Sequence, residues 1–221
     1  MDQSRMRVGL GSMVGSSSPV SGHRGEKDIT MPAFSHLRSL VTLRKFCFAA
    51  IAVGLVAIWV DYLFAGVDLN AVLAGDAHTN PITAVALVLG FLATLSQRPL
   101  KVASRTETRL WLGVCACVLV YPALESAGLM AWLGVAHPGR MGINTAISLL
   151  LIALGQLLRA RMSGAAFVCA LLSLISPFIS VNGYILGHSE FFGEMALTTT
   201  LVLLPLSLAN LVRFARRRAL A

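Results

Sequence analysis

Six long runs of apolar residues constrain this chain more than any other feature. The runs cover residues 46–67, 81–97, 110–136, 141–158, 162–186 and 195–212. A helix rises about 1.5 Å per residue, so about 20 residues cross a hydrocarbon core of about 30 Å. Because lipid offers no partners to backbone N–H and C=O groups, runs of this length favour helices. We therefore predict an all-α, polytopic membrane bundle of six transmembrane helices.

The composition excludes most other classes of protein. Of the 221 residues, 56% are apolar and only 13% are charged. A water-soluble domain cannot bury that fraction of apolar side chains, and a disordered chain is far more polar. In a soluble protein, a net charge of +8 would indicate nucleic-acid binding. Here the basic residues lie in the segments that flank the predicted membrane spans. We expect a lipid bilayer around the chain and no nucleic acid.

The positions of lysine and arginine predict the orientation, because short cytoplasmic loops are enriched in both. Basic residues flank the runs in alternate loops: Arg38, Arg44, Lys45, Arg98, Lys101, Arg105, Arg109, Arg159, Arg161, Arg213, Arg216, Arg217 and Arg218. The other three loops carry Asp68, Asp76, Glu190 and Glu194, with Arg140 as their one basic residue. We predict a multi-pass protein of the bacterial inner (plasma) membrane with both termini cytoplasmic.

Three regions follow from this pattern. Residues 1–40 are rich in glycine, serine and scattered charge, and we expect a disordered cytoplasmic tail there. Residues 41–215 form the predicted six-helix transmembrane domain. Residues 216–221 form a short basic tail on the cytoplasmic side.

The three even-numbered runs begin alike, which indicates an internal repeat. They open with Asn80-Pro81-Ile82-Thr83-Ala84, Gly142-Ile143-Asn144-Thr145-Ala146 and Ala196-Leu197-Thr198-Thr199-Thr200. With Thr83, Thr145 and Thr199 superposed, the next basic residue follows after 15, 14 and 14 positions. We predict a two-helix hairpin used three times. The alternative is that any helix starting at a membrane surface favours Asn, Thr or Pro.

Each odd-numbered run holds polar residues near its predicted outer end. Such groups cost a few kcal/mol or more inside a bilayer unless they face protein or water. We expect them to meet the aligned threonines in one outward-facing pocket. The candidate pocket residues are Asp61, Tyr62, Thr83, Glu125, Asn144, Thr145, Asn182, Tyr184 and Thr199.

Three of these residues have a second interpretation that involves no ligand. Glu125 either lines the pocket or bonds a neighbouring helix or the membrane surface. Asp61 lies close to the end of its run, where an interfacial position is typical. Asn182 fits a hydrogen bond between helices.

Nothing in the sequence points to catalysis, a metal or a cofactor. The His-Glu-x-x-His and Gly-x-x-x-x-Gly-Lys motifs do not occur. All four cysteines lie inside apolar runs, as small buried side chains do. His78, His137 and His188 lie in the predicted outer loops, at unequal distances from the repeat motif. We expect a protein that is not an enzyme and binds no metal or cofactor.

One stretch resembles a known kind of membrane region. Glu125, followed by His137-Pro138-Gly139-Arg140-Met141-Gly142-Ile143-Asn144-Thr145-Ala146, is similar to the membrane-embedded N-terminal region of many bacterial sensor proteins. In that family PAS, histidine-kinase or diguanylate-cyclase domains follow the membrane region. The resemblance covers roughly residues 40–215, and Ser126 departs from it where the family has tyrosine. It implies a sensor region whose effector domain is expected on a partner.

Three functional hypotheses follow. The first is a sensory or regulatory module that detects a ligand, a proton or a membrane state near the outer leaflet. It would signal through a cytoplasmic or membrane partner, and self-association as a homo-oligomer stays open. The alternatives are a small permease or channel subunit and a non-catalytic scaffold. We expect few polar residues in the inner half, Ser148, Gln156 and Ser173 at most, which favours a blind pocket over a path.

Overall fold

The computed structural model describes residues 33–63, 79–97, 103–128, 140–187 and 195–219. Side chains before residue 39, at residues 61–63 and at residues 216–219 lie outside this description. The predicted N-terminal tail up to residue 32 and the predicted outer-loop histidines also lie outside it.

Six α-helices make up the described part of the chain, and no strand occurs in it. They are α1 (Ala33–Leu63), α2 (Pro81–Leu95), α3 (Arg105–Ser126), α4 (Ile143–Leu158), α5 (Ser163–Leu186) and α6 (Leu197–Ala219). The predicted all-α class is confirmed. Four helices contain segments long and apolar enough to cross a membrane, at Ser39–Val60, Arg105–Ser126, Ser163–Leu186 and Leu197–Ala215. The helices α2 and α4 are apolar but shorter, with 15 and 16 residues.

Local sequence explains where several helices begin and end. The side chain of Asn80 accepts a hydrogen bond from the N–H of Ile82, and Pro81 occupies the first turn of α2. Ser104 caps α3 in the same way by accepting from the N–H of Glu107 at 3.1 Å. At the end of α5, Gly187 adopts a φ of 70°, the left-handed conformation that glycine reaches without steric cost.

The even-numbered helices occupy the inside of the bundle. Consecutive helices from α2 to α6 pack side by side, and α1 packs on α6 and α2. In addition α2, α4 and α6 contact one another. In the apolar segment of α6, 61% of the residues are buried, against 28% in the corresponding segments of α1, α3 and α5. The helix α6 is therefore the central one among the four candidate spans.

Apolar side chains form both the core and the outer face. The core includes Leu87, Leu149 and Leu203, all fully buried and each four positions after an aligned threonine. Outer positions such as Phe46, Leu119 and Phe178 are 70%, 67% and 61% exposed. Exposed apolar surface on this scale suits lipid and would be costly in water.

Glycines permit the closest approaches between helices. A Cβ at Gly54 of α1 would collide with the Cγ2 of Val202 on α6. At Gly155 of α4 it would lie 3.1 Å from the carbonyl oxygen of Ala166 on α5. Small residues at such crossings allow backbones to pack tightly in membrane bundles.

Candidate functional site

Buried polar side chains gather at the two opposite ends of the inner helices. One group lies where α2, α4 and α6 begin, and we call this end the threonine end. The other lies where the same helices finish and α3 starts. We call this second group the charge cluster; it consists of Gln97, Glu107, Gln156, Arg159, Asn210 and Arg213, each at most 8% exposed.

At the threonine end, three hydroxyls join the segment just before α2 to the start of α6. The Oγ1 atom of Thr79 lies 2.8 Å from Oγ1 of Thr198 and 2.9 Å from Oγ1 of Thr199. Thr83 and Thr145 are equally buried, at 2% exposure each. The three threonines that the sequence aligns are thus all inside the bundle at the same end, and Thr199 takes part in a hydroxyl contact with the residue before the N-cap of α2.

Two hydroxyls near this end have no hydrogen-bond partner within the described residues. They are Oγ1 of Thr83 and Oγ of Ser148, both fully buried. Leaving a buried polar atom unpaired costs about 1–3 kcal/mol. The threonine end is therefore not fully satisfied by its own side chains.

The polar residues predicted on the odd-numbered helices do not all join this group. Glu125 is 41% exposed and pairs with the still more exposed Arg140 at 3.3 Å. Asn182 is exposed and donates to the carbonyl of Phe178 within α5. Asn144 is half-buried at the start of α4. The side chains of Asp61 and Tyr62 lie outside the described residues.

Two tyrosines fasten the odd-numbered helices to the segments that precede the next helix. The Tyr184 hydroxyl donates to the carbonyl of Met195 at 2.7 Å, and the Tyr121 hydroxyl accepts from the N–H of Met141 at 3.0 Å. Met141 and Met195 both stand four positions before an aligned threonine. Sequence reasoning selected Tyr184 and missed Tyr121. The available signal was that the chain has three tyrosines, one in each odd-numbered run.

The charge cluster centres on Glu107 in the first turn of α3. Its Oε1 accepts hydrogen bonds from Nη1 of Arg159 and Nη1 of Arg213, each at 3.0 Å. Its Oε2 lies 3.4 Å from Nη2 of Arg159. All three side chains are buried, so one carboxylate holds the C-terminal end of α4 and the later part of α6.

Amide side chains extend this network to α2. Oε1 of Gln156 accepts from Arg159 at 3.1 Å, from Arg213 at 3.4 Å and from Nε2 of Gln97 at 3.4 Å. The same Nε2 lies 3.2 Å from Oδ1 of Asn210. Four helices thus meet in one hydrogen-bonded group.

Helix ends favour the placement of these charges. The positive end of a helix dipole is its N-terminus, where Glu107 lies, and the negative end is the C-terminus, where Arg159 lies. Each such arrangement contributes about 0.3–1 kcal/mol at an exposed site, and more when partly buried. The sequence Ser104-Arg105-Thr106-Glu107 also has the form of a capping box. Here, however, the carboxylate of Glu107 binds the two arginines.

The expectation of few polar residues in this half is wrong. Gln97, Glu107 and Asn210 join Gln156 there, together with two buried arginines. The signal lay in the repeat alignment. Fourteen positions after the aligned threonines stand Gln97, Arg159 and Arg213, and eleven positions after them stand Thr94, Gln156 and Asn210. All six side chains are buried.

A cavity of about 190 Å³ adjoins the charge cluster. Its polar lining comes from Glu107, Thr108, Trp111 and Gln156. The indole Nε1–H of Trp111 is buried and meets no acceptor among the described residues. Those residues include no group of three or more metal-ligating side chains. The arrangement offers hydrogen bonding and buried charge, with no nucleophile beside a base.

No protein-family model, curated protein or solved structure matches this chain. The resemblance to bacterial sensor regions therefore stays a hypothesis based on the quoted motifs. The features of the structure that bear on function are the two buried polar groups and α6, which contributes to both.

Proposed function

We propose that this protein is a membrane-embedded sensory or regulatory module without catalytic activity. A ligand, proton or membrane change at the threonine end would alter the packing of α6. The altered helix would change the charge cluster at the other end, and a partner protein would read that change. The resemblance to sensor regions agrees with this proposal.

The observation that supports the proposal most directly is that α6 belongs to both polar groups. Its first turn contributes Thr198 and Thr199 to the contact with Thr79. Its later part contributes Arg213, bound to Glu107. From Thr199 to Arg213 the helix covers about 21 Å. A small shift of this one helix would therefore act on both ends together.

The proposal includes six membrane crossings in three hairpins, with both termini cytoplasmic. The helices α2 and α4 would span about 23 Å each by their own length, and their flanking residues would supply the rest. Equivalent burial of the aligned threonines, leucines and terminal polar residues supports a repeated hairpin. The alternation of basic loops supports an orientation with the charge cluster on the cytoplasmic side.

An apolar layer separates the two polar groups, and this favours a sensor over an open path. Leu87, Leu149 and Leu203 are fully buried between the ends of their helices, and Ile152 and Leu206 follow one turn later. Dispersion contacts in such a layer transmit displacement of a helix but exclude ions.

A double-mutant cycle tests the sensory proposal in the full-length protein. Thr79→Val removes the hydroxyl contact at one end, and Arg213→Lys weakens the other end. Distant sites usually add within about 0.5 kcal/mol, whereas coupled sites differ from additivity by about 0.5–3 kcal/mol. We expect a coupling energy of about 1 kcal/mol in unfolding measurements in lipid nanodiscs. Additive effects would contradict transmission through α6.

Glu125→Gln supplies the control for this cycle. Glu125 lies on α3 and is exposed. Its carboxylate pairs with Arg140, which is not part of an inner helix. Combined with Arg213→Lys it should give additive effects. A coupling of the same size in this control pair would show a general loss of stability and would contradict specific transmission.

A small permease is the second candidate, because buried polar side chains lie at both ends of the inner helices. In that case the apolar layer would be a closed gate. Proteoliposomes loaded with a fluorescent pH or anion indicator would then show flux, and Leu149→Ser in this layer would increase it. The sensory proposal expects no flux from either protein.

A further inference from the structure

We infer that the cavity beside Glu107 binds a phosphate group, either that of a phospholipid headgroup or free phosphate. This goes beyond the proposed function, since such a site would exist whether or not α6 transmits a signal. The donors that line the cavity, the charges behind them and the place of the cavity in the bundle all favour such a ligand.

Two side chains of the lining carry N–H donors that bind no acceptor among the residues that the structure describes. The indole Nε1–H of Trp111 is buried without a partner. The oxygen of the Gln156 side chain accepts three hydrogen bonds, whereas its NH₂ group donates none to the described residues. A buried donor without an acceptor costs about 1–3 kcal/mol. An occupant rich in acceptor oxygens would remove that cost at Trp111 and would give the Gln156 NH₂ group an acceptor.

The charges around the cavity favour an anion over a cation. The Glu107 carboxylate lines the cavity, but two guanidinium groups already bind it through Oε1. The lining also includes Ala103 and Thr108 at the N-terminal turn of α3, where the helix dipole is positive. Two guanidinium charges and the positive end of the dipole outweigh the single Glu107 carboxylate, so the net charge around the cavity favours an anion.

Among anions, a phosphate group fits the size and the donors best. A volume of about 190 Å³ exceeds the needs of a single halide ion and accommodates a phosphate with part of its substituent. Its several acceptor oxygens could engage Trp111 and Gln156 together. The lining residues Ala103 and Ala160 lie just beyond the ends of α3 and α4. In a bilayer such helix ends lie at the depth of the headgroups, so both sources of phosphate have access.

Thermal unfolding of the purified full-length protein in a phosphate-free maltoside detergent tests the inference. One arm adds inorganic phosphate, and a second adds phosphatidylglycerol. Sodium chloride at matched ionic strength is the reference. Because a ligand that binds only the folded state stabilises it by mass action, we expect the melting temperature to rise by a few degrees. A rise with both additives shows recognition of phosphate itself, and a rise with the lipid alone identifies the headgroup.

Trp111→Phe separates specific binding from a general additive effect. The substitution keeps most of the ring and removes the N–H donor, so the rise should fall to less than half. Trp59→Phe is the control, because Trp59 lies on α1 and is 43% exposed; its rise should equal that of the original protein. No rise in either arm, or an undiminished rise in Trp111→Phe, would overturn the inference.

Fluorescence gives a second readout that leaves the cavity intact. The chain has three tryptophans, so the double variant Trp59→Phe, Trp132→Phe leaves Trp111 as the only emitter. Hydrogen bonding of its indole N–H to phosphate should shift the emission to longer wavelength, with the same concentration dependence as the thermal effect. Emission that phosphate and phosphatidylglycerol both leave unchanged would contradict binding at this cavity.

Discussion

The Oε1 atom of Glu107 lies 3.0 Å from Nη1 of Arg213, a residue 106 positions later in the chain. This pair fastens the first turn of α3 to the later part of α6, away from the exposed apolar faces of the bundle. The same oxygen also binds Arg159, so the ends of two inner helices depend on one carboxylate. Such dependence makes Glu107 the residue whose loss should be most informative.

Glu107→Gln should lower the free energy of unfolding by about 3–5 kcal/mol. The substitution leaves two guanidinium groups buried without their counter-charge, and breaking a buried ion pair on one side has this cost. Denaturant titration in mixed micelles measures it. A loss below about 1 kcal/mol would contradict the central place of this carboxylate.

The matched control is Glu125→Gln, which also removes a carboxylate from α3. Its partner Arg140 is 75% exposed, and exposed ion pairs contribute about 0–1 kcal/mol. We therefore expect little change. The triple variant Glu107→Met, Arg159→Met, Arg213→Met should regain more than half of the loss, because it leaves no buried charge unpaired.

Gly155→Ala should destabilise the contact between α4 and α5 by about 1–3 kcal/mol. The new Cβ would lie 3.1 Å from the Ala166 carbonyl oxygen and 3.2 Å from Cβ of Cys169, so backbones must separate. Gly164→Ala on α5 is the control, since no atom of the described residues lies within 4 Å of the added Cβ. That variant should keep or slightly increase stability, as alanine favours helix. Equal losses in thermal unfolding would count against the tight crossing.

Much of the fold could be predicted from the sequence because long apolar runs favour helices. Apolar length specified an all-helical chain, and the Asn80-Pro81 pair located the start of α2 correctly. The ends of α3 could not be read from hydropathy. The apolar run continues to residue 136, yet α3 ends at Ser126, which places Glu125 at a helix end.

Hydropathy also gives no indication of the charge cluster. Glu107 precedes the apolar run, so hydropathy assigns it to a loop, whereas capping by Ser104 extends α3 to include it. The sequence pattern predicts Arg159 and Arg213 as loop charges, because the order of residues does not show which side chains turn inward. Only packing of three inner helices brings these groups together.

Tyr121→Phe should lower stability by about 1–3 kcal/mol, and Tyr184→Phe should lower it by less. The first change leaves the buried N–H of Met141 without its acceptor, and orphaned buried N–H groups are rare and costly. The second removes a donor to the Met195 carbonyl. A carbonyl oxygen has two lone pairs, so it tolerates the loss of one hydrogen bond better than a buried N–H group does. Urea titration of both variants gives the comparison. The reverse order would contradict the assigned directions of these hydrogen bonds.

Thr79→Val and Thr83→Val should have opposite effects although both replace one buried hydroxyl by a methyl group. The Thr79 hydroxyl contacts Thr198 and Thr199, so its loss should cost about 1–2 kcal/mol. The Thr83 hydroxyl is buried without a partner in the described residues, so valine there removes an unmet polar group and should leave stability unchanged or increase it. Differential scanning calorimetry of the two variants under one detergent condition makes the comparison. A large loss in Thr83→Val would contradict the prediction, because it would show that the Thr83 hydroxyl has a stabilising partner.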